Sequence, residues 1–280
     1  MLEKTPEITA GDTTHPFDRA TQVTNVDGRL RGAASEDYFA FVGPFGGATA
    51  ATLLRAIMEH PECAGDPLSV TVNLCAPVAR GVFDLDVRLI KATRSTQHWM
   101  VELSQDDGVA AFATAVFAAR RPSWSHQQAK FPGAPPFDQV KPLPDSGIAN
   151  WVKQYQFRFV EGAPGYNAAP LDVPAIAYSK MWLSDATPRR IDFLSLLSMS
   201  DTFFARIFHA RGTIVPIGTV SLTTAFHTDA ADLAAEDITA VLGVADAKIF
   251  HKSFSDQVGE LWSPGGRLLA TTSQFVYFKA

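Results

Sequence analysis

Cysteine is nearly absent. Cys63 and Cys75 are the only two in 280 residues, and their separation fits neither a C-x-x-C pair nor a disulfide framework. None of the seven histidines (His15, His60, His98, His126, His209, His227, His251) stands at i,i+4 helical spacing from another, so no histidine-based metal site is expected. Excess positive charge is also lacking. Against 29 Asp and Glu there are 24 Lys and Arg, a net charge of −5, which offers no footprint for a nucleic-acid backbone. No run approaches the roughly 18 apolar residues needed to cross a bilayer, so no membrane partner is expected. Residues 1–6 lack the basic region and apolar run of a secretory leader, and none of Asn25, Asn73, Asn150 and Asn167 begins an N-x-Ser/Thr sequon. A reduced, cytoplasmic protein is the expectation. The G-x-S-x-G elbow, the G-x-x-x-x-G-K-[S/T] loop, H-E-x-x-H and G-x-G-x-x-G are all missing, which removes several common chemistries. The stretch Pro44-Phe-Gly-Gly47 has two readings, a phosphate cradle or a tight start to a helix, and the helix start is the plainer one.

What is present is a soluble globular composition, 46% apolar and 19% charged, divided in two. Six of the 18 prolines (Pro122, Pro132, Pro135, Pro136, Pro142, Pro144) fall within 121–150. That density excludes a regular element and marks a crossover between 1–120 and 151–280. Each half reads alike. In the first, a strand at about 21–26 turns at Asp27-Gly28, Gly46-Gly47 opens a helix reaching about Glu59, and four strands follow at 68–74, 83–92, 98–103 and 109–118. In the second, strands at 151–160 and 175–183 precede a helix over about 192–209, then strands at 217–226, 238–247, 252–262 and 267–278. The stretch Ala110–Phe117 aligns with Arg267–Gln274, each after a turn (Asp106–Gly108 and Ser263–Gly266). A helix followed by four antiparallel strands buries its apolar stripe on the sheet, and two such units side by side make one continuous sheet. The fold class is α+β.

Some polar residues do not fit this pattern. Leu194, Leu197, Phe204 and Phe208 recur at helical spacing, and Asp201 lies inside that stripe. A carboxylate facing a core is costly unless hydrogen-bonded or functional; the other reading is that Ser200 or Asp201 caps a helix restarting there. On the last strand Leu268, Ala270, Thr272, Gln274, Val276 and Phe278 share a face by alternation, and Gln274 interrupts it where the aligned residue of the first half is Phe117. Thr219, Ser221 and Thr223 likewise fall on one face, which a half-exposed strand also explains.

At these residues the chain resembles a known family. Arg31-Gly-Ala-Ala-Ser-Glu-Asp37 followed by Phe45-Gly-Gly47, then Met199-Ser-Asp201, Gly218-Thr219, Phe226-His227 and Leu269-Ala-Thr-Thr-Ser-Gln274, resemble in the same order the motifs of bacterial acyl-CoA thioesterase II. The resemblance spans about 20–120 and 175–278. It implies a double hotdog, two antiparallel sheets each wrapped around one long helix and related by a pseudo-two-fold axis within one chain. It further implies hydrolysis of acyl-CoA by a water held by Asp201, Thr219 and Gln274, with catalysis in the C-terminal hotdog, no cofactor and no metal, and assembly into a homo-oligomer. In such a pair the opening of one helix faces the acid of the other, which makes Gly47 the expected oxyanion donor. Two positions depart from the family pattern, Ser221 where relatives carry Asp and Ala48 where they carry Gln. Two other readings compete: an acyl-CoA or lipid-binding protein that keeps the pocket without the rate, and an enoyl-CoA hydratase-like enzyme, whose Asp-x-Asn-Pro-x-His motif is missing.

Overall fold

Asp27 and Gly28 both adopt left-handed backbone, with φ of 52° and 79°, the geometry a two-residue hairpin needs. Asn25 Oδ1 accepts from the Gly28 N–H at 3.0 Å and fixes the turn. It joins β1 (Thr24–Val26) to β2 (Arg29–Ala33) behind a short helix, α1 (Pro16–Ala20). The computed structural model describes residues 14–106, 108–144 and 149–279. The stretch 1–6 read for a leader, Asp107 of the Asp106–Gly108 turn, and 145–148 of the proline-rich segment lie outside the described residues.

After the hairpin come α2 (Gly46–Met58) and the strands β3 (Asp66–Leu74), β4 (Val82–Ala92), β5 (Thr96–Gln105) and β6 (Gly108–Ala118). The second half runs β7 (Tyr155–Glu161), β8 (Ser179–Asp185), α3 (Phe193–Met199), α4 (Arg206–Arg211), β9 (Ile217–Phe226), α5 (Ala230–Glu236), β10 (Ala240–Asp246), β11 (Phe250–His251), β12 (Phe254–Trp262) and β13 (Leu268–Phe278). All pair antiparallel in one sheet of order β1-β2-β4-β5-β6-β3-β9-β13-β12-β10-β8-β7, with β11 on β12. The halves meet edge to edge at β3 and β9, where Thr71 stands opposite Thr223 and the two hydroxyls lie 3.0 Å apart. Outward from that pair the order reads alike in both directions, β3-β6-β5-β4-β2 one way and β9-β13-β12-β10-β8 the other. This is the α+β double arrangement expected.

Each half of the sheet curls around a helix. In α2 every residue from Gly47 to Leu54 is buried, because the helix packs on the sheet of its own half and on α3 of the other. A Cβ on Gly47 would collide with the Ser198 carbonyl oxygen, so glycine lets the two helices approach. Strand alternation does the rest, placing Val70, Val72, Val101, Leu103, Ala113 and Phe117 on the inner face.

The second helix differs from the single element expected over 192–209. It starts as read, Asp192 capping α3 by accepting from the Ser195 N–H at 2.8 Å. It then stops at Met199. The Ser200 hydroxyl donates to the Leu197 carbonyl at 2.7 Å and the Thr202 hydroxyl to the Met199 carbonyl at 2.8 Å. The amides of Asp201 and Thr202 tighten onto Ser198 and Met199. Hydroxyls that satisfy terminal carbonyls compete with the next helical turn, and helix resumes only at Arg206 as α4.

The proline-rich crossover, expected to hold no regular element, contains a short 3₁₀ turn at Phe137–Gln139, and it is a packed strap. Phe131, Ala134, Phe137 and Val140 cover Trp182, Leu242 and Trp262 on the outer face of the second half. The Trp182 indole N–H donates to the Pro135 carbonyl at 2.8 Å, and Arg158 lies over the Phe137 ring at 4.1 Å.

Two stability predictions follow from these contacts. Gly47→Ala overpacks the α2–α3 contact and is expected to lower stability by about 1–3 kcal/mol, read as a lower urea midpoint at constant slope. Trp182→Ala is expected to cost about 3–5 kcal/mol and to open the strap of residues 129–140 to limited proteolysis. An unchanged midpoint in either variant contradicts the packing that generates it.

Candidate active site

Because α3 ends where it does, Asp201 leaves the helix one residue past its C-cap, Ser200, and its side chain crosses to the other half of the molecule. The first turn of α2 has no capping side chain of its own, since Phe45 occupies the N-cap. The Asp201 carboxylate takes that place, set against the first turn with the Gly47 N–H lowering its proton affinity. Gly46 leaves room for it: a Cβ there would stand 2.7 Å from Asp201 Oδ2. A carboxylate at a helix N-terminus is favoured by the amide dipoles. Asp201 therefore caps a helix, but the helix of the opposite half rather than one restarting beside it.

Gln274 comes from the middle of β13 on its inner face. Its Nε2 donates to Asp201 Oδ1 at 2.9 Å and to the Ser200 carbonyl at 3.2 Å. Thr219, on β9, faces the same carboxylate with its hydroxyl and lowers its proton affinity. It reaches the site by an irregularity that alternation does not reveal. Opposite β13, Thr219 pairs with Val276 and Ser221 with Phe275, leaving Val220 as an extra residue, a β-bulge. The bulge reverses the alternation. Leu222, Thr224 and Phe226 face inward, Ser221 and Thr223 outward, and Thr219 sits opposite the buried Val276 on the inner face. The expectation that Thr219, Ser221 and Thr223 share a face is corrected accordingly, and the Ser221 departure lies on the side away from the carboxylate.

Asp201, Thr219 and Gln274 thus converge. Burial pushes the Asp201 carboxyl up to about 7, against the opposing pull of the Gly47 N–H, the Gln274 amide and the Thr219 hydroxyl. One edge of the carboxyl remains open to a cavity of about 400 Å³ that Thr219, Gln274 and Gly46 also border. Gly47 does not border it. Its amide is turned to Asp201, while Gly46, at the first helical position, has an amide that no intrahelical carbonyl accepts. Both halves supply the apolar wall, with Leu74 and Phe45 from the first and Phe203, Phe204, Ile217 and Val276 from the second. Phe45 is held flat against Trp151, ring centroids 4.3 Å apart. At the mouth, Phe41 and Val42 are 64% and 74% exposed.

Gln257 was not among the expected site residues. It lies on the inner face of β12 opposite Gln274, borders the cavity, and its Nε2 donates to Gln274 Oε1 at 2.8 Å. The signal for it is the alternation of Ser255, Gln257, Gly259 and Leu261, the same kind of interruption that exposes Gln274. Counting outward from the Thr71–Thr223 pair, Gln274 and Gln257 correspond to Ala115 and Trp99. The counterpart of Gln274 is thus two residues from the expected Phe117, and both first-half counterparts are apolar. Among the described residues no cluster of three or more His, Cys, Asp or Glu could hold a metal ion, and no helix is long and apolar enough to cross a membrane.

Comparison with known proteins finds relatives for the chain as a whole. No curated protein matches the chain. A hot dog fold protein of unknown function from Alicyclobacillus acidocaldarius is 40% identical, with a TM-score of 0.89 over 96% of this chain and 99% of its own. An acyl-CoA thioesterase II from Mycobacterium marinum shares the fold at 17% identity, with a TM-score of 0.70 over 94% of this chain and 98% of its own. A tesB protein from Mycobacterium avium subs paratuberculosis does so at 19% identity, with a TM-score of 0.72 over 95% of this chain and 100% of its own. Residues 35–118 match the acyl-CoA thioesterase N-terminal domain and residues 126–278 the acyl-CoA thioesterase C-terminal domain. Matched in order by both domains, the chain belongs to the acyl-CoA thioesterase family.

Proposed function

We propose that the protein hydrolyses acyl-CoA to the free acid and CoA, with Asp201 as general base toward a water oriented by Thr219 and Gln274. The observation that carries this reading is the buried carboxyl itself, pushed up to about 7 yet left open to an apolar cavity. A base with a pKa near the working pH has the best compromise of ionised fraction and proton affinity. The cavity is within the usual range for small-molecule sites, and its aromatic wall suits an acyl chain.

In this mechanism the acyl carbonyl lies against the first turn of α2. Asp201 removes a proton from the water as its oxygen attacks the carbonyl carbon. Charge develops on the carbonyl oxygen, where the helix N-terminus stabilises it. The oxyanion role expected of Gly47 passes to the neighbouring Gly46 N–H, since the Gly47 amide already serves Asp201. Collapse breaks the C–S bond and expels the thiolate, which carries charge readily because thiols have pKa near about 8.5. The proton on Asp201 then passes to the thiolate or to solvent. The donor set needs no metal, because the thioester is already electrophilic and its leaving group stable. No histidine borders the cavity, which weighs against the hydratase-like reading.

Purified protein is expected to release CoA from acyl-CoA, and chelator to leave the rate unchanged. Asp201→Asn should lower kcat by about 10²–10⁴, and Gln274→Ala by at most about 10²–10³, with KM little altered. A wild type no faster than Asp201→Asn across acyl lengths, with binding intact, makes this a binding protein. The pH dependence has a defined sign. Below about 7 the base is protonated, so kcat/KM should fall about tenfold per pH unit there and level off above. A wild-type profile flat from pH 5 to 8 contradicts Asp201 as the base.

A further inference from the structure

The amide of Gln274 can point either way in isolation, and only one way serves the site. With Nε2 toward Asp201 it donates to the carboxylate; reversed, it would set oxygen against oxygen. The Ser200 carbonyl, which can only accept, favours the first orientation at 3.2 Å. Gln274 Oε1 then faces Gln257, whose Nε2 donates to it at 2.8 Å. The chain of bonds therefore runs in one direction, from Gln257 through Gln274 to Asp201.

This direction leaves one atom over. Gln257 Oε1 is buried and has no hydrogen-bond partner, on a side chain 1% exposed. An unpaired buried acceptor is destabilising, and an apolar side chain of the same length would fill that space without it. The unpaired oxygen is what results from spending the other end of the amide on Gln274. We infer that Gln257 is a positioning residue of the thioesterase site, fixing the Gln274 amide so that its Nε2 remains on the Asp201 carboxylate. The inference rests on the proposed role of Asp201 and Gln274. Gln257 itself reaches the carboxylate through Gln274.

The consequence for Asp201 has a sign. The hydrogen bond from Gln274 stabilises the ionised carboxylate. Without Gln257 the Oε1 end of the amide is unanchored and only Asp201 and Ser200 hold it, so the bond to the carboxylate is weakened for part of the time and the proton is held to higher pH. Among the described residues Tyr155 on β7 is the titratable group that faces Asp201; its hydroxyl pairs with Ser198 Oγ and burial pushes it up, so it stays neutral across the range. Asp185 on β8, also raised to about 7 by burial, faces Tyr155 rather than Asp201 and lies apart from the Gln257 substitution.

Gln257→Met is the direct test, being near in shape and unable to donate. The expected result is a kcat lower by about 10–100-fold, KM within about twofold, an acid limb of kcat/KM displaced to higher pH, and a melting temperature equal to or above wild type. A role confined to filling space would move stability and leave the limb in place. In a double-mutant cycle, Gln257→Met added to Gln274→Ala should lower kcat little further, because one acts through the other. Full additivity, or a single variant with wild-type kcat and limb, overturns the inference. Should Gln257→Met fail to fold, Gln257→Asn, which keeps an amide too short to reach Gln274, enters the same cycle with the same kinetic expectations. If Asp201→Asn and Gln274→Ala also cost nothing, it is the proposed function that fails; if they are slow while Gln257→Met is not, only the positioning role does.

Discussion

The contact between the Asp201 carboxylate and the first turn of α2 is the constraint on which the rest depends. It crosses from one half of the chain to the other, and it needs three things at once. α3 must stop at Met199, α2 must begin with two glycines, and the halves must be fixed edge to edge so that one reaches the other. Helix-end amides and a carboxylate are complementary whatever surrounds them. Burying the pair in an apolar cavity raises the proton affinity of the carboxyl without removing its partners. The same contact therefore joins the two halves and sets the chemistry of the site.

The sheet shows how a repeat becomes asymmetric. Thr71 and Thr223 mark the seam, and the strands outward from it correspond. Yet the polar pair Gln257 and Gln274 stands where the first half has Trp99 and Ala115, and the bulge at Val220 turns Thr219 toward that pair. The outer face differs as well. In the second half the strap from 129–140 seals Trp182 and Trp262 from solvent. The two halves keep one scaffold and divide its uses, the first supplying a helix start and the second the acid and amides.

The strands were legible because alternation and turn residues act locally. Asp27-Gly28 marks its hairpin, and all four strands after each helix are where the pattern puts them. Asp201 and Gln274 were legible for a related reason, since each interrupts an apolar face and such an interruption is costly unless it has a partner. What was not legible depends on tertiary contacts. The apolar stripe runs on from Leu197 to Phe204, so nothing in its spacing shows that the Ser200 and Thr202 hydroxyls end the helix between them. The Val220 bulge shows only in the register against β13. Gln257 carries the same kind of signal as Gln274, but its role requires knowing which amide faces which.

The central claim, that Asp201 activates a water and does not attack the thioester itself, is tested most directly by a single turnover in ¹⁸O-labelled water with enzyme in excess over acyl-CoA. Direct attack by water puts one ¹⁸O into the released acid in the first turnover and none into the protein. Finding the label in the Asp201 carboxyl, with an unlabelled acid released first, would show an acyl-aspartyl intermediate and contradict the account.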